Sequence, residues 1–272
     1  MAAGKFGQAR SVPVARCGKV QIMQKMTLDR ILQSQGFGTR KYCRQLIVDG
    51  AVRVGGEPVR NYDAAFAPEG LEFTVGDQPW TYRAYVYVAL NKPAGYECSR
   101  RPSHHPSVHT LLPEQFTWRG VQSVGRLDHD TTGLLLLSDD GAFIHALSSP
   151  KRHVPKAYVA TTHEPITPAL LTKLRKGVRL DDEPAPLTAQ VRQLAPSSLE
   201  IILEQGKYHQ VKRMLVAAGN HCILLRRTAI GDLTLDALGL EDGAWCYINS
   251  AQLRLNPVHC GQAERPCVSA NH

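Results

Sequence analysis

Hydrophobic positions near the start of the chain follow two helical faces and then a short alternating stretch. The apolar positions of the two helices are Leu28, Ile31 and Leu32, followed by Cys43, Leu46 and Ile47. Thr39 is a favourable N-cap for the second helix, and Gly50 ends it. Apolar residues then alternate up to Gly55–Gly56, a pair typical of hairpin turns. The pattern predicts a helix–helix–hairpin domain within residues 26–76.

Short apolar or alternating runs interleave with amphipathic stretches in the rest of the chain. The predicted strands cover residues 85–90, 134–137 and 222–230 and an antiparallel pair at 188–194 and 199–203, with a turn at 91–95. Helices are predicted after Asp140 and from Gln210 to Gly219. The mixture indicates an α+β fold with a second domain over residues 77–255. Residues 1–25 are predicted to be a disordered basic extension, and residues 256–272 a tail.

The net charge of +8 is concentrated at one end of the chain. Residues 1–60 hold eleven Lys and Arg against three acidic residues, which accounts for the whole excess. A basic module joined to a neutral body is typical of proteins that bind polyanions. A basic but merely soluble surface is the alternative that charge alone leaves open.

Composition excludes several classes of protein. The seven cysteines are odd in number and scattered, without a Cys-x-x-Cys pair, which argues against a disulfide framework and a structural zinc. No apolar run reaches the roughly 20 residues of a spanning helix, and the N-terminus lacks a secretory apolar region. We therefore expect a cytoplasmic protein with no membrane partner. His105 and His109 are four residues apart, but Pro106 disfavours a helix that would carry both to a metal.

The stretch from Gly125 to Asp140 contains the strongest candidate chemistry. Asp128 and Asp130 lie in a loop that enters the apolar run 134–137, and loops supported by a buried strand often carry function. Either carboxylate could equally close a local turn through its own backbone. Spacing alone favours the turn interpretation.

Three motifs together resemble the RNA pseudouridine synthases that modify ribosomal RNA. They are Gly-Arg-Leu-Asp at 125–128 with Asp-Thr-Thr-Gly-Leu-Leu-Leu-Leu at 130–137, Lys-Ala-Tyr at 156–158, and Gly-Lys-Tyr-His-Gln-Val-Lys-Arg-Met at 206–214. The resemblance implies that Asp128 is the catalytic carboxylate, Tyr158 the active-site tyrosine and Lys212 the cation paired with Asp128. It implies a catalytic domain built on a mostly antiparallel mixed sheet flanked by helices. Asp130 is expected to be a structural turn residue.

Residues 26–76 resemble the S4 RNA-binding domain in their helix–helix–hairpin pattern and basic second helix; a helical cap on the main domain is the alternative. The two resemblances assign RNA contacts to Arg40, Lys41, Arg44, Arg53, Arg126, Lys151, Arg152, Lys156, Lys207, His209, Gln210 and Arg213. Many family members have Arg at the position of Lys212. Lys212 with His209 most resembles the RsuA family, which acts on small-subunit 16S ribosomal RNA.

The implied reaction isomerises uridine, adds and removes nothing overall, and so needs neither cofactor nor metal. The expected partner is 16S ribosomal RNA in an assembling small subunit, and the expected protein is a monomer. One alternative is a synthase for large-subunit 23S RNA, and another is a non-catalytic ribosome-assembly factor. A third is a metal-dependent nuclease that uses Asp128, Asp130, Asp139 and Asp140.

Overall fold

The computed structural model describes residues 24–149 and 153–249. Residues 1–23, 150–152 and 250–272 lie outside the described residues. They include all but the last two residues of the predicted extension, the whole predicted tail, and the predicted RNA contacts Lys151 and Arg152. Within the described ranges, no helix combines the length and the apolar character needed to cross a membrane.

The N-terminal domain packs two helices on two small sheets. Its elements are β1 (Met26–Thr27), α1 (Leu28–Ser34), α2 (Arg40–Val48), β2 (Val52–Val54), β3 (Glu57–Pro58), β4 (Ala65–Phe66), β5 (Glu72–Val75) and β6 (Gln78–Thr81). One sheet has the order β3-β2-β5-β6, and β1 pairs with β4. The predicted apolar positions Leu28, Ile31 and Cys43 are fully buried. The Thr39 hydroxyl accepts the N–H of Tyr42, as an N-cap does.

The predicted domain boundary at residue 77 falls inside the hairpin formed by β5 and β6. Strand β6 pairs with β5, so the small sheet continues to Thr81. The next contacts join the two domains: the Gln35 side-chain oxygen accepts hydrogen bonds from the Arg83 N–H at 3.0 Å and from Arg119 Nη1 at 2.9 Å. Gln35 is 1% exposed. The segment that joins the two domains, which includes Arg83, is therefore part of a packed contact between them.

The second domain is built on one large sheet with helices on both faces. Its strands are β7 (Tyr87–Lys92), β8 (Gln122–Ser123), β9 (Thr132–Ser138), β10 (Lys156–Thr162), β11 (Gln190–Ala195), β12 (Ser198–Leu203), β13 (Cys222–Ile230), β14 (Leu233–Thr234) and β15 (Trp245–Tyr247). Its helices are α3 (Glu114–Arg119), α4 (Gly141–Ser148), α5 (Pro168–Lys176), α6 (Gln210–Ala218) and α7 (Leu235–Leu238), with a 3₁₀ turn at Val108–Leu111.

The order of the main strands is β11-β12-β10-β13-β9-β7-β15, with β14 on β13 and β8 on β9. Only the β9–β13 pair is parallel among the described strands. The predicted antiparallel pair is confirmed as β11 and β12, and the predicted strand 222–230 is β13.

The central strand β9 explains the apolar run that dominates the sequence. Leu134 and Leu136 pack into one core with α4 and α7, whereas Leu135 and Leu137 pack into the other with α3, α5 and α6. All four leucines are fully buried because helices cover both faces of the sheet. The loop before β9 is thereby held on a rigid support.

Candidate active site

A buried lysine holds the loop between β8 and β9. Lys92 is fully buried, and its Nζ donates to the carbonyl oxygens of Pro93 at 2.9 Å, His129 at 3.1 Å and Thr131 at 2.9 Å. Burial lowers the pKa of Lys92. The sequence interpretation placed Lys92 in a turn, but β7 extends through it. The loop that carries Asp128 is consequently fixed from beneath.

The Asp128 carboxylate faces His209, which directly precedes helix α6, and Lys212 in the first turn of that helix. Its Oδ1 lies 3.2 Å from His209 Nε2, and its Oδ2 lies 3.4 Å from Lys212 Nζ. His209 is the N-cap residue of α6, with a left-handed backbone conformation, and Lys212 lies in the first turn, so both reach Asp128 from the N-terminal end of the helix. Asp128 is 28% exposed, open enough for a substrate to reach it.

Lys212 also binds Asp130, and more closely than it binds Asp128. Its Nζ lies 2.7 Å and 2.8 Å from the two Asp130 oxygens. Burial raises the pKa of Asp130, but the Lys212 hydrogen bond outweighs it and leaves this pKa below its usual value. Burial lowers the pKa of Lys212, and Asp130 with Asp128 reverses that effect and raises it. Asp130 is therefore the second carboxylate of a shared ion pair, not simply a turn residue.

Tyr158 reaches the same place from strand β10. It is 8% exposed and, with Asp128, lines a cavity of about 150 Å³. The β10–β13 register shifts between Ala157 and Tyr158, so that Tyr158 lies opposite Arg227. Such irregularities re-aim side chains next to functional sites. Asp128, Tyr158 and Lys212 are thus brought together, although 30 and 54 residues separate them in sequence.

Several residues expected to contact RNA have partners within the protein. Lys207 forms an ion pair with Glu183, and Arg213 forms one with Asp182. Gln210 is 6% exposed, and its side-chain oxygen accepts the N–H of Lys207, which braces the start of α6. These three residues therefore hold the start of α6 in place, and their contact with RNA stays a prediction.

The other expected contacts near the cavity are Arg126 and Lys156. Arg126 is exposed in the loop before Asp128. Lys156 is half-buried, and its Nζ donates to the Val154 carbonyl at 2.9 Å. Both residues line the cavity.

Two arginines of the N-terminal domain converge on a buried acid in the first turn of α1. Arg40 Nε and Arg44 Nε each lie 2.7 Å from Asp29 Oδ2, and Asp29 is fully buried. The arginine side chains remain 42% and 40% exposed, so each still presents a cationic surface. Lys41 is exposed beside them, and Arg53 donates to the Gly56 carbonyl at 3.3 Å.

The four acids of the nuclease alternative do not form one group, because Asp139 and Asp140 are held apart from Asp128 and Asp130. Asp139 binds Arg119 at 2.7 Å, and Asp140 caps α4 through the N–H groups of Ala142 and Phe143. In residues 24–149 and 153–249, no three His, Cys, Asp or Glu side chains are grouped so that they could hold a metal ion. Asp139 and Asp140 thus have structural partners away from Asp128.

Sequence reasoning missed Lys92, Asp29 and Arg227. Lys92 had a signal, because a lysine directly before Pro93 at the end of a buried strand invites a structural role. Arg227 had no such signal, because Arg226 beside it is equally basic. Only the pairing of the strands shows which of the two arginines is buried opposite Tyr158.

Comparison with known proteins gives consistent matches. A model of the RNA pseudouridylate synthase family matches residues 86–217, and an S4 domain model matches residues 26–64. Ribosomal small subunit pseudouridine synthase A of Escherichia coli (strain K12) is 38% identical over 214 residues, 78% of this chain and 92% of the relative. An uncharacterized RNA pseudouridine synthase of Bacillus subtilis, YtzG, is 34% identical over 235 residues, 85% and 98% of the two chains. The crystal structure of a pseudouridylate synthase, 32% identical, aligns with a TM-score of 0.58 over 84% of this chain and 98% of its own.

Proposed function

We propose that this chain, which belongs to the RNA pseudouridine synthase family, converts one uridine of small-subunit 16S ribosomal RNA to pseudouridine with Asp128 as its catalytic carboxylate. As a ribosomal RNA pseudouridine synthase, it is an isomerase. The observation that carries the residue assignment is the contact of Asp128 with both His209 and Lys212 beside the Tyr158 cavity.

The reaction breaks the N1–C1′ bond of uridine, turns the uracil and joins its C5 to C1′. Asp128 either adds to C1′ or removes the C2′ proton, and both routes use the carboxylate in its charged form. Lys212 and His209 stabilise that charge from one side. Tyr158 offers an aromatic ring on which the uracil can stack.

The cavity supports a substrate that is a single base taken out of its stack. Its volume of about 150 Å³ is smaller than the roughly 300–1,000 Å³ of clefts that enclose drug-sized ligands. Extruding a base takes a few kcal/mol, which phosphate contacts elsewhere can offset. Arg40, Lys41 and Arg44 of the S4 domain are the exposed cations that we assign to those contacts.

The choice of 16S RNA rests on the relative from Escherichia coli, whose name states a small-subunit target, and on Lys212 with His209. A large-subunit target is the second candidate. The two are distinguished by substrate, since the chemistry is common to both.

The test is tritium release from RNA labelled at C5 of uridine, with 16S RNA carrying its early-binding proteins and with 23S RNA. We expect release from the 16S particle by the wild-type protein and by Asp236→Asn, an exposed acid at the start of α7. Asp128→Asn should bind the RNA normally and release no tritium. Full activity of a folded Asp128→Asn protein would refute the catalytic assignment, and release from 23S RNA alone would refute the target.

A further inference from the structure

Arg227 is a buried cation whose charge no described acid neutralises. The residue is 2% exposed, and its Nε donates to the Leu134 carbonyl at 2.7 Å. Its Nη2 has no hydrogen-bond partner among the residues that the structure describes, and no acid in those ranges lies within 4.0 Å of the guanidinium. Burying a charge without a counter-charge is costly, so this unsatisfied donor needs an explanation, and a ligand that completes it is one.

Its position on the sheet puts Arg227 at the active site. The β10–β13 register sets Arg227 directly opposite Tyr158, and opposed residues of an antiparallel pair project from the same face. Lys156 lies two residues before Tyr158 and so shares this face. Arg227, Tyr158 and Lys156 line the same cavity as Asp128.

A second unsatisfied group lines that cavity. Thr131 is 1% exposed, and its hydroxyl has no hydrogen-bond partner in the described part of the chain. The edge of uracil carries carbonyl oxygens that accept hydrogen bonds and an N3–H group that donates one. The guanidinium of Arg227 supplies a donor and the hydroxyl of Thr131 an acceptor, which match that edge.

The charges around the cavity favour a negatively charged occupant. Burial lowers the pKa of Lys156, and the neighbouring Arg227 lowers it further. Two acids also line the cavity, but each faces another partner: Asp128 faces His209 and Lys212, and Glu204 lies 3.6 Å from His153. The inner wall is therefore cationic.

We propose that Arg227 donates a hydrogen bond to a carbonyl oxygen of the target uracil and stabilises the negative charge that this base acquires when it leaves the ribose. When N1–C1′ breaks, the bonding electron pair stays with the base and spreads from N1 onto O2 and O4. C1′ is left either bonded to Asp128 or in a double bond after loss of the C2′ proton. The delocalised pair then forms the C5–C1′ bond, as Asp128 leaves C1′ or the C2′ proton is returned. The C5 proton departs, and N1 takes up a proton, so nothing is gained or lost overall. This role rests on the proposed reaction and not on which uridine is the target.

The experiment compares single-turnover rates on RNA with uridine or 5-fluorouridine at the target. It follows loss of the starting nucleoside, because fluorine cannot leave C5 as the proton does and the final step therefore differs between the two substrates. Fluorine withdraws electrons, so the departing base needs less help from the protein. We expect Arg227→Gln to slow uridine conversion roughly 100-fold, in the range found when one oxyanion donor is removed. On 5-fluorouridine the loss should shrink to about tenfold or less, and the Kd for RNA should stay within about twofold.

Arg226→Gln is the matched control, because Arg226 is the preceding residue, points to the other face and binds Asp242 at 3.2 Å. It should keep the wild-type rate. Arg227→Lys retains the positive charge but lacks the Nη2 donor. It replaces Arg227→Gln in the experiment if thermal unfolding shows that Arg227→Gln does not fold. We expect it to fold and to convert uridine at a rate between those of wild type and Arg227→Gln.

A folded Arg227 variant with the wild-type rate overturns the proposal, and so does an equal loss on uridine and 5-fluorouridine, which would indicate a purely structural role. Failure of the wild-type protein on every ribosomal RNA would overturn the proposed function as well, so the two failures are distinguishable.

Discussion

Asp29 gives the sharpest prediction about stability, because three donors depend on one buried carboxylate. The Thr27 hydroxyl donates to it at 2.6 Å, and the Nε atoms of Arg40 and Arg44 do so at 2.7 Å each. Burial by itself would raise the pKa of Asp29, but the three hydrogen bonds outweigh it and hold the pKa well below its usual range. Asp29→Asn keeps the size of the side chain and removes its charge.

The expected loss of stability in Asp29→Asn depends on the two arginines that lose their counter-charge. Removing one member of a fully buried ion pair destabilises a protein by about 3–5 kcal/mol. The two arginines are 42% and 40% exposed and can regain water, so we discount this range to about 2–3 kcal/mol. The control is Asp49→Asn, an exposed acid of the same domain bound by Gln45 at 2.8 Å, which should change stability by less than about 0.5 kcal/mol.

The assay is urea unfolding of the full chain followed by tryptophan fluorescence, since Trp80 packs against Phe37 in the N-terminal domain. The lowered pKa of Asp29 determines how its contribution to stability changes with pH. Its contribution is complete above the unfolded-chain value of 3.8 and is lost as the pH falls through the lower folded value. The deficit of Asp29→Asn should therefore shrink as the medium is made acid. A loss no larger than that of Asp49→Asn, or a deficit that grows on acidification, would refute the reasoning.

Three further substitutions test the active-site loop. Lys92→Met leaves three carbonyl oxygens without their donor, and we expect a loss of about 2–4 kcal/mol in urea unfolding; unchanged stability would contradict the anchoring role. Gly133 has φ +100°, and Gly133→Ala would place a Cβ 2.2 Å from the Arg227 carbonyl oxygen, so soluble folded protein should not be recovered. The control Gly141→Ala has open space around its Cβ and should fold normally. Lys212→Gln leaves Asp128 and Asp130 without their shared cation and should slow tritium release roughly 100-fold. Lys212→Arg keeps the charge and should retain more activity. Equal rates for both variants would contradict the role of the positive charge.

The family and the fold class were predictable because their signals are local. Helical spacing around Leu28 and Cys43, the N-cap at Thr39 and the β9 leucine run each act over a few residues, so sequence alone reveals them. The motif resemblance to the pseudouridine synthases and the S4 domain is confirmed by the family models and by relatives at 34–38% identity.

Element boundaries were less accurate where tertiary pairing extended an element. The hairpin of β5 with β6 carried the small sheet past residue 77, and β7 continued through Lys92 into the predicted turn. Neither strand has a residue pattern that marks its last position, and pairing with a neighbour decided both.

The sequence by itself determined which residue types are available: a carboxylate before a buried strand, a tyrosine at the start of another and a basic helix after a glycine turn. Only the tertiary structure decided how their charges are shared. Lys212 bridges Asp128 and Asp130, and Arg213, the next residue along the same helix, pairs with Asp182. Adjacent basic residues look alike in one dimension, but each turns by about 100° around a helix. The partner of each charged side chain is therefore determined by which residue the tertiary packing places against its side of the helix.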